Sequence, residues 1–160
     1  MDIKTYTIPN DGSINLILGM SHFIKTVDDL SEIIVTTVPN AKYGVAFCEA
    51  SGPCLIRHNG NDKELTNKAI EIMQNVKAGH SFVILLKECY PINILSKVKM
   101  CDEVVRIFCA TSNPLTILTV EAGEGVSIIG VADGSSPKGI EDEENTKKRR
   151  EFLKNIGYKF

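Results

Sequence analysis

Leu55-Ile-Arg-His-Asn-Gly-Asn-Asp62, followed after one periodic stretch by Gly79-His-Ser-Phe82, is the passage whose reading decides the fold class. Residues 54–58 form a short strand pattern that runs into a turn, and His58 stands just before that turn. Asp62 is an acidic residue of the kind that caps a helix by accepting from its free backbone N–H groups. Leu65, Ala69, Ile72, Met73 and Val76 then recur at the three-and-four spacing of a helix packed on a sheet. Gly79 ends that helix, and the run Phe82 to Leu86 inside a strand over 80–87 is apolar throughout.

The same alternation of signals extends in both directions. Further strands are expected over 3–8, 14–19, 43–48, 103–109, 115–120 and 126–131. Thr26-Val-Asp-Asp29 reads as a cap with an acidic residue at its third helical position, and Val27, Leu30 and Ile34 share one face of a helix reaching Thr37. Pro91 opens a shorter helix through Ile94, Leu95 and Val98. A last helix starts near Glu141, with acids first and Lys147-Lys-Arg-Arg150 later; Phe152, Leu153 and Ile156 anchor it and Gly157 ends it. The order ββα, ββα, βα, βββ, α does not alternate strictly. It predicts an α+β fold over 1–160 as a single domain, with a mixed, largely antiparallel sheet carrying the helices.

Composition narrows the function classes. The 160 residues are 43 % apolar and 24 % charged, which fits a globular domain with an ordinary core rather than a disordered chain. No apolar run is long enough to span a bilayer, so no membrane partner is expected. A net charge of −2 offers no basic footprint for nucleic acid. The five cysteines include no Cys-x-x-Cys pair, so no metal site is expected, and Cys48 and Cys109 read as small hydrophobes at the ends of apolar runs. Met1-Asp-Ile-Lys-Thr-Tyr6 lacks the basic start and apolar block of a secretory signal, and a cytoplasmic protein is the expectation.

The polar residues gather at the punctuation between elements. Ser51-Gly-Pro53 is short enough to join antiparallel strands, whereas connections that contain a helix can return the chain to start a parallel one. If strand 14–19 runs the same way as strand 43–48, His22, Glu49 and His80 share one rim of the sheet. Gly60-Asn-Asp62, Cys89-Tyr-Pro91, Thr111-Ser-Asn113 and Asp133-Gly134 then share the other.

Each of these groups has a chemical reading and a plain one. A neutral imidazole is a competent nucleophile or base near neutral pH, so His22 and His80 are candidates for catalysis; either is equally readable as a hydrogen-bonded structural histidine. Lys25 at a helix start suits an anion such as phosphate, or it is merely solvated. Glu49 can act as a base or hold a ribose hydroxyl, or it is a turn carboxylate. Asp62 and Asp133 are candidates to bind the substrate; Asp62 also has a structural role ready as a cap, and Asp133 before Gly134 is equally readable as an ordinary turn pair. Asn61 and Asn113 carry amides able to pair with the edge of a purine. Gly130-Val-Ala-Asp-Gly-Ser-Ser-Pro-Lys-Gly139 has glycines and hydroxyls suited to phosphate, with Lys138 as counter-charge, yet it lacks the spacing of a P-loop or a dinucleotide fold.

Ser21-His-Phe-Ile-Lys-Thr-Val27, Phe47-Cys-Glu-Ala-Ser-Gly52, Gly60-Asn-Asp62, Gly79-His-Ser-Phe82, Pro91-Ile-Asn93, Phe108-Cys-Ala-Thr111, Asn113-Pro114 and the Gly130 to Gly139 loop together resemble the adenosine-specific kinase family. Met20, where the family pattern has a glutamine, and His58, where it has an aromatic, depart from it. The resemblance implies an α+β fold of its own, a homo-oligomer of trimer type, and binding of adenosine or its nucleotides. It further implies phosphoryl transfer to adenosine through a transiently phosphorylated histidine. ATP is the donor this implies, and Mg²⁺ is compatible with it although no ligand signature calls for one. The competing reading is a module that senses adenosine or AMP without turnover.

Overall fold

The computed structural model describes residues 2–160. Eight strands and four helices follow in the order β1 (Ile3–Ile8), β2 (Asn15–Ser21), α1 (Thr26–Thr37), β3 (Lys42–Cys48), β4 (Ile56–Gly60), α2 (Lys63–Val76), β5 (Ser81–Lys87), α3 (Pro91–Lys99), β6 (Val104–Thr111), β7 (Leu115–Ala122), β8 (Gly125–Asp133) and α4 (Glu143–Asn155). The α+β class is as expected. The strands are divided between two sheets, β4-β3-β5-β2-β6 and β1-β7-β8, and every pairing is antiparallel.

The missing parallel pairs have a simple cause. Strands β2 and β3 do run the same way, but β5 lies between them and pairs with both. Likewise β3 separates β4 from β5, and β2 separates β5 from β6. Each helical connection therefore returns the chain one strand beyond its neighbour.

The two-residue period of the central strands sorts their side chains into two cores. Leu16, Leu18, Ala46, Val83 and Leu85 point to the face covered by α2 and the small sheet, where they meet Leu65, Ile72, Met73, Ile8, Leu115 and Ile117. Ile17, Val45, Phe47, Phe82, Ile84 and Leu86 point to the other face, where α1 and α3 supply Leu30, Ile34, Ile94 and Val98. Truncating a large side chain in either layer costs about 2–5 kcal/mol. The rims are thus held at the ends of a rigid sheet.

Local signals are met unevenly. Asp62 caps α2 through the Leu65 N–H at 2.9 Å, and Pro91 occupies the first turn of α3, where the Asn93 side chain accepts from the Tyr90 N–H. The box expected at Thr26 does not form: Thr26 lies inside α1, buried, and its hydroxyl donates to Ser21 Oγ at 2.7 Å. Helix α2 ends before Gly79, with Lys77 taking the left-handed conformation at φ 55°. Gly79 is needed for space instead, since a Cβ there would approach that of Ala50 to 2.9 Å. Strand β8 runs to Asp133, so the expected Gly130 to Gly139 loop begins at Gly134. Phe152, Leu153 and Ile156 do not anchor α4 in the core: no residue of α4 is buried.

Candidate functional site

The first rim is drawn together by backbone hydrogen bonds that cross the whole sheet. Glu49 N–H donates to Leu55 O (3.0 Å), His80 N–H to Cys48 O (2.7 Å), Ser21 N–H to His80 O (2.9 Å) and His22 N–H to Glu103 O (3.0 Å). His22 and His80 therefore stand on one edge, separated only by Ser21. His22 is exposed, whereas His80 is half-buried with its ring stacked on Phe47 at 5.9 Å between centroids. His80 also holds φ 62°, a left-handed conformation that costs a residue with a Cβ about 1–2 kcal/mol. Its place is set by the two backbone bonds that flank it.

Lys25 ends the same rim and pairs with Asp29 at 2.7 Å. That hydrogen bond, with the Asp29 charge behind it, raises the lysine pKa above its ordinary value. Glu49 is committed inside the chain: Leu55 N–H donates to its Oε2 at 2.9 Å, and Arg57 Nη2 lies 3.0 and 3.2 Å from its two oxygens. The Leu55 N–H chiefly, and the Arg57 guanidinium after it, hold the Glu49 carboxyl below the usual carboxylate range. Behind the rim lie Cys101 and Glu103. Burial, reinforced by Glu103, pushes the Cys101 thiol up to about 12.

The opposite rim holds a cavity of about 650 Å³. Its polar floor is a small network in which Thr111 Oγ1 and Asn113 Nδ2 both donate to Asp133 Oδ1, at 2.7 and 3.0 Å, and the Asn113 N–H donates to Thr111 Oγ1 at 2.9 Å. Its walls are apolar and aromatic, from Tyr90, Pro91 and Ile92 on one side and Phe152, Ile156 and Tyr158 on the other. Tyr90, Phe152 and Tyr158 were not among the expected site residues. Only the placing of Cys89-Tyr-Pro91 on this rim hinted at the first; the others come from α4 and the chain beyond it, far away in sequence.

Not every expected ligand reaches this cavity. Asn61 spends its amide on the chain, accepting from Tyr43 N–H at 2.9 Å and donating to Ala41 O at 2.8 Å, so it fastens the start of β3. Asn61 and Asp62 follow β4, the strand farthest from β6, which at the usual strand spacing is about 19 Å from Thr111. Lys138 is exposed and lies outside the cavity lining. Cys109, close behind Asp133, is pushed up to about 11 by burial, and Cys48 is raised by burial also, as suits packed thiols.

Two arrangements of complementary chemistry therefore sit at opposite ends of one sheet. One offers imidazoles and an ammonium to an anion. The other offers a carboxylate, an amide and aromatic faces to a flat polar molecule.

A family model described as Adenosine specific kinase matches residues 6–159. The crystal structure of the PH1918 protein from Pyrococcus horikoshii OT3 is similar over 99 % of this chain and 98 % of that one, at 41 % identity and a TM-score of 0.94. No curated protein matches the chain.

Proposed function

The chain belongs to the adenosine-specific kinase family, and from that premise we propose that it binds adenosine in the Asp133 cavity and phosphorylates it from ATP through a histidine on the opposite rim of a neighbouring subunit. The observation that carries this reading is the separation of the two rims. Strand β2 spans Asn15 to Ser21, about 20 Å at the usual rise per residue. A single nucleoside does not bridge that gap within one chain.

In the cavity, Asp133 Oδ1 is occupied by Thr111 and Asn113, which leaves Oδ2 for the ribose hydroxyls. Asn113 donates through Nδ2, so its Oδ1 is the acceptor for the amino group of adenine. Tyr90 and Phe152 supply faces for the purine. On the histidine rim, His22 is the better phosphoryl carrier because it is exposed and three residues from Lys25, whose ammonium balances the incoming phosphate. A cyclic homotrimer, with heterologous contacts that repeat around a threefold axis, can place one rim of each subunit against the other rim of the next.

The test is complementation. His22→Ala and Asp133→Ala subunits should each be inactive alone and regain part of the activity when mixed, since some interfaces then pair an intact cavity with an intact histidine. Absence of recovery in mixtures shown by mass spectrometry to exchange subunits overturns the shared site.

One observation favours a second reading, an adenosine or AMP sensor without turnover. Glu49, the acid expected to act as a base or hold a ribose hydroxyl, is engaged by Arg57, and Asp62 by the N-terminus of α2. A nucleoside panel with donor hydrolysis monitored separates the two: thermal stabilisation by adenosine with no product formed is the sensor's signature.

A further inference from the structure

The segment leading into β6 buries a carboxylate with one oxygen that the described residues leave without a hydrogen-bond partner. Glu103 is 3 % exposed, and its Oε1 has no hydrogen-bond partner. A buried acceptor without a donor is unfavourable, and more so when it is charged. Two further ligand-type groups face it. One oxygen each from Asp29 and Glu103 and the sulfur of Cys101 all lie within 4.8 Å of one another. Among the described residues, the cation paired at this cluster is Lys25, which reaches Asp29 Oδ2 at 2.7 Å from a largely exposed position.

We propose that Asp29, Cys101 and Glu103 form a binding site for a borderline divalent transition ion of the zinc class. The donor set decides the ion. A thiolate with two carboxylates suits Zn²⁺ or Co²⁺, whereas Mg²⁺ takes oxygen ligands and keeps its waters. A tetrahedral ion with bonds of about 2.0–2.3 Å needs its ligand atoms about 3.5 Å apart. Side chains already within 4.8 Å close that distance by small rotations. On binding, the Cys101 S–H proton leaves to solvent and the sulfur bonds the metal, with no change of oxidation state. Charge balance also favours the ion: two carboxylates, a thiolate, the Lys25 ammonium and a divalent cation together are neutral.

Three protein ligands leave a fourth position open, the pattern of sites that admit water or a substrate oxygen. The position matters because the Glu103 carbonyl accepts from His22 N–H at 3.0 Å, so the ion would lie beside the histidine rim. The inference goes beyond the kinase reading and does not depend on it, since binding is measured without nucleoside or donor.

Titration of the full chain with Co²⁺ is the direct test. The expected result is one ion per chain with a near-ultraviolet thiolate-to-cobalt band, displaced by Zn²⁺ and untouched by excess Mg²⁺. Cys101→Ser should abolish the band, while Cys89→Ser and Cys109→Ser keep it. Glu103→Gln, which preserves shape and removes charge, should weaken binding by at least about tenfold. If that variant does not fold, Asp29→Asn, at a partly exposed position, reads out the same loss. No saturable band, a band that survives Cys101→Ser, or affinity unchanged in both carboxylate variants overturns the site. An infrared carbonyl band assigned to protonated Glu103 in zinc-treated protein does so too.

Discussion

Thr111 donates its hydroxyl to Asp133 across 2.7 Å, and in doing so joins the end of the five-stranded sheet to the end of the three-stranded one. The bond is both a clasp and part of the cavity floor, because Thr111 is buried while Asp133 is exposed. Asp133→Asn keeps an acceptor for Thr111 and should change stability little, yet lower adenosine affinity by about tenfold or more through loss of a charged acceptor. Asp133→Ala should cost about 1 kcal/mol of stability as well, since Thr111 then lacks its partner. Calorimetric titration beside urea denaturation checks both. Equal adenosine affinity in wild type and Asp133→Asn would remove this carboxylate from the site.

The histidines make a sharper contrast. Labelling from a γ-labelled donor should give an acid-labile, base-stable adduct that His22→Ala abolishes and His80→Asn retains, asparagine being a residue that tolerates the φ of 62° at that position. The reverse pattern would move the phosphoryl group to His80.

Gly44 tests the packing of α2 on the central sheet. A Cβ at this position in β3 would fall onto the Leu65–Thr66 backbone in the first turn of α2, where no side chain can rotate away. Gly44→Ala should therefore destabilise the fold by about 2 kcal/mol or more. Gly12→Ala is a control for steric room, since nothing lies within 4 Å of a Cβ there; its φ of 91° adds only local backbone strain. Equal losses in the two variants would contradict the account.

Glu49 gives a pH signature. Its folded pKa is depressed, by the Leu55 N–H first and Arg57 second, so the stability it contributes is present above the ordinary glutamate range and is lost as pH falls through the folded value. The gap in urea midpoint between wild type and Glu49→Gln should be constant from pH 8 to about 5 and close below about pH 4. A gap that widens in acid would mean that the carboxylate is not the favoured form.

Much of the fold was legible because local patterns coincide with tertiary need. The unbroken apolar run Phe82-Val-Ile-Leu-Leu86 predicts a buried strand, and its alternate residues enter two different cores. Both rims were readable on the condition that β2 and β3 share a direction, which a helix-containing connection permits and the sheet bears out. What escaped depends on pairings far apart in sequence. Nothing local says that β5 inserts between β2 and β3, or that three strands leave to form their own sheet. The Thr26 cap failed because Lys25 takes the cap position, which leaves Thr26 as the first residue of α1 with its hydroxyl donating to Ser21 Oγ. The aromatic walls of the cavity and the Asp29–Cys101–Glu103 cluster join residues more than sixty positions apart, so no spacing motif announces them.

Helix α4 forms one wall of the Asp133 cavity while burying none of its own residues. Its docking free energy is correspondingly small, and its amide protons should exchange with solvent through local opening rather than through global unfolding. On the proposed function, a nucleoside held between Tyr90 and Phe152 would use part of its contact energy in keeping that wall in place, which would lower its apparent affinity. Occupancy of the cavity then registers at the far end of the chain as slowed deuterium uptake from Glu143 to Asn155, with the central sheet unchanged.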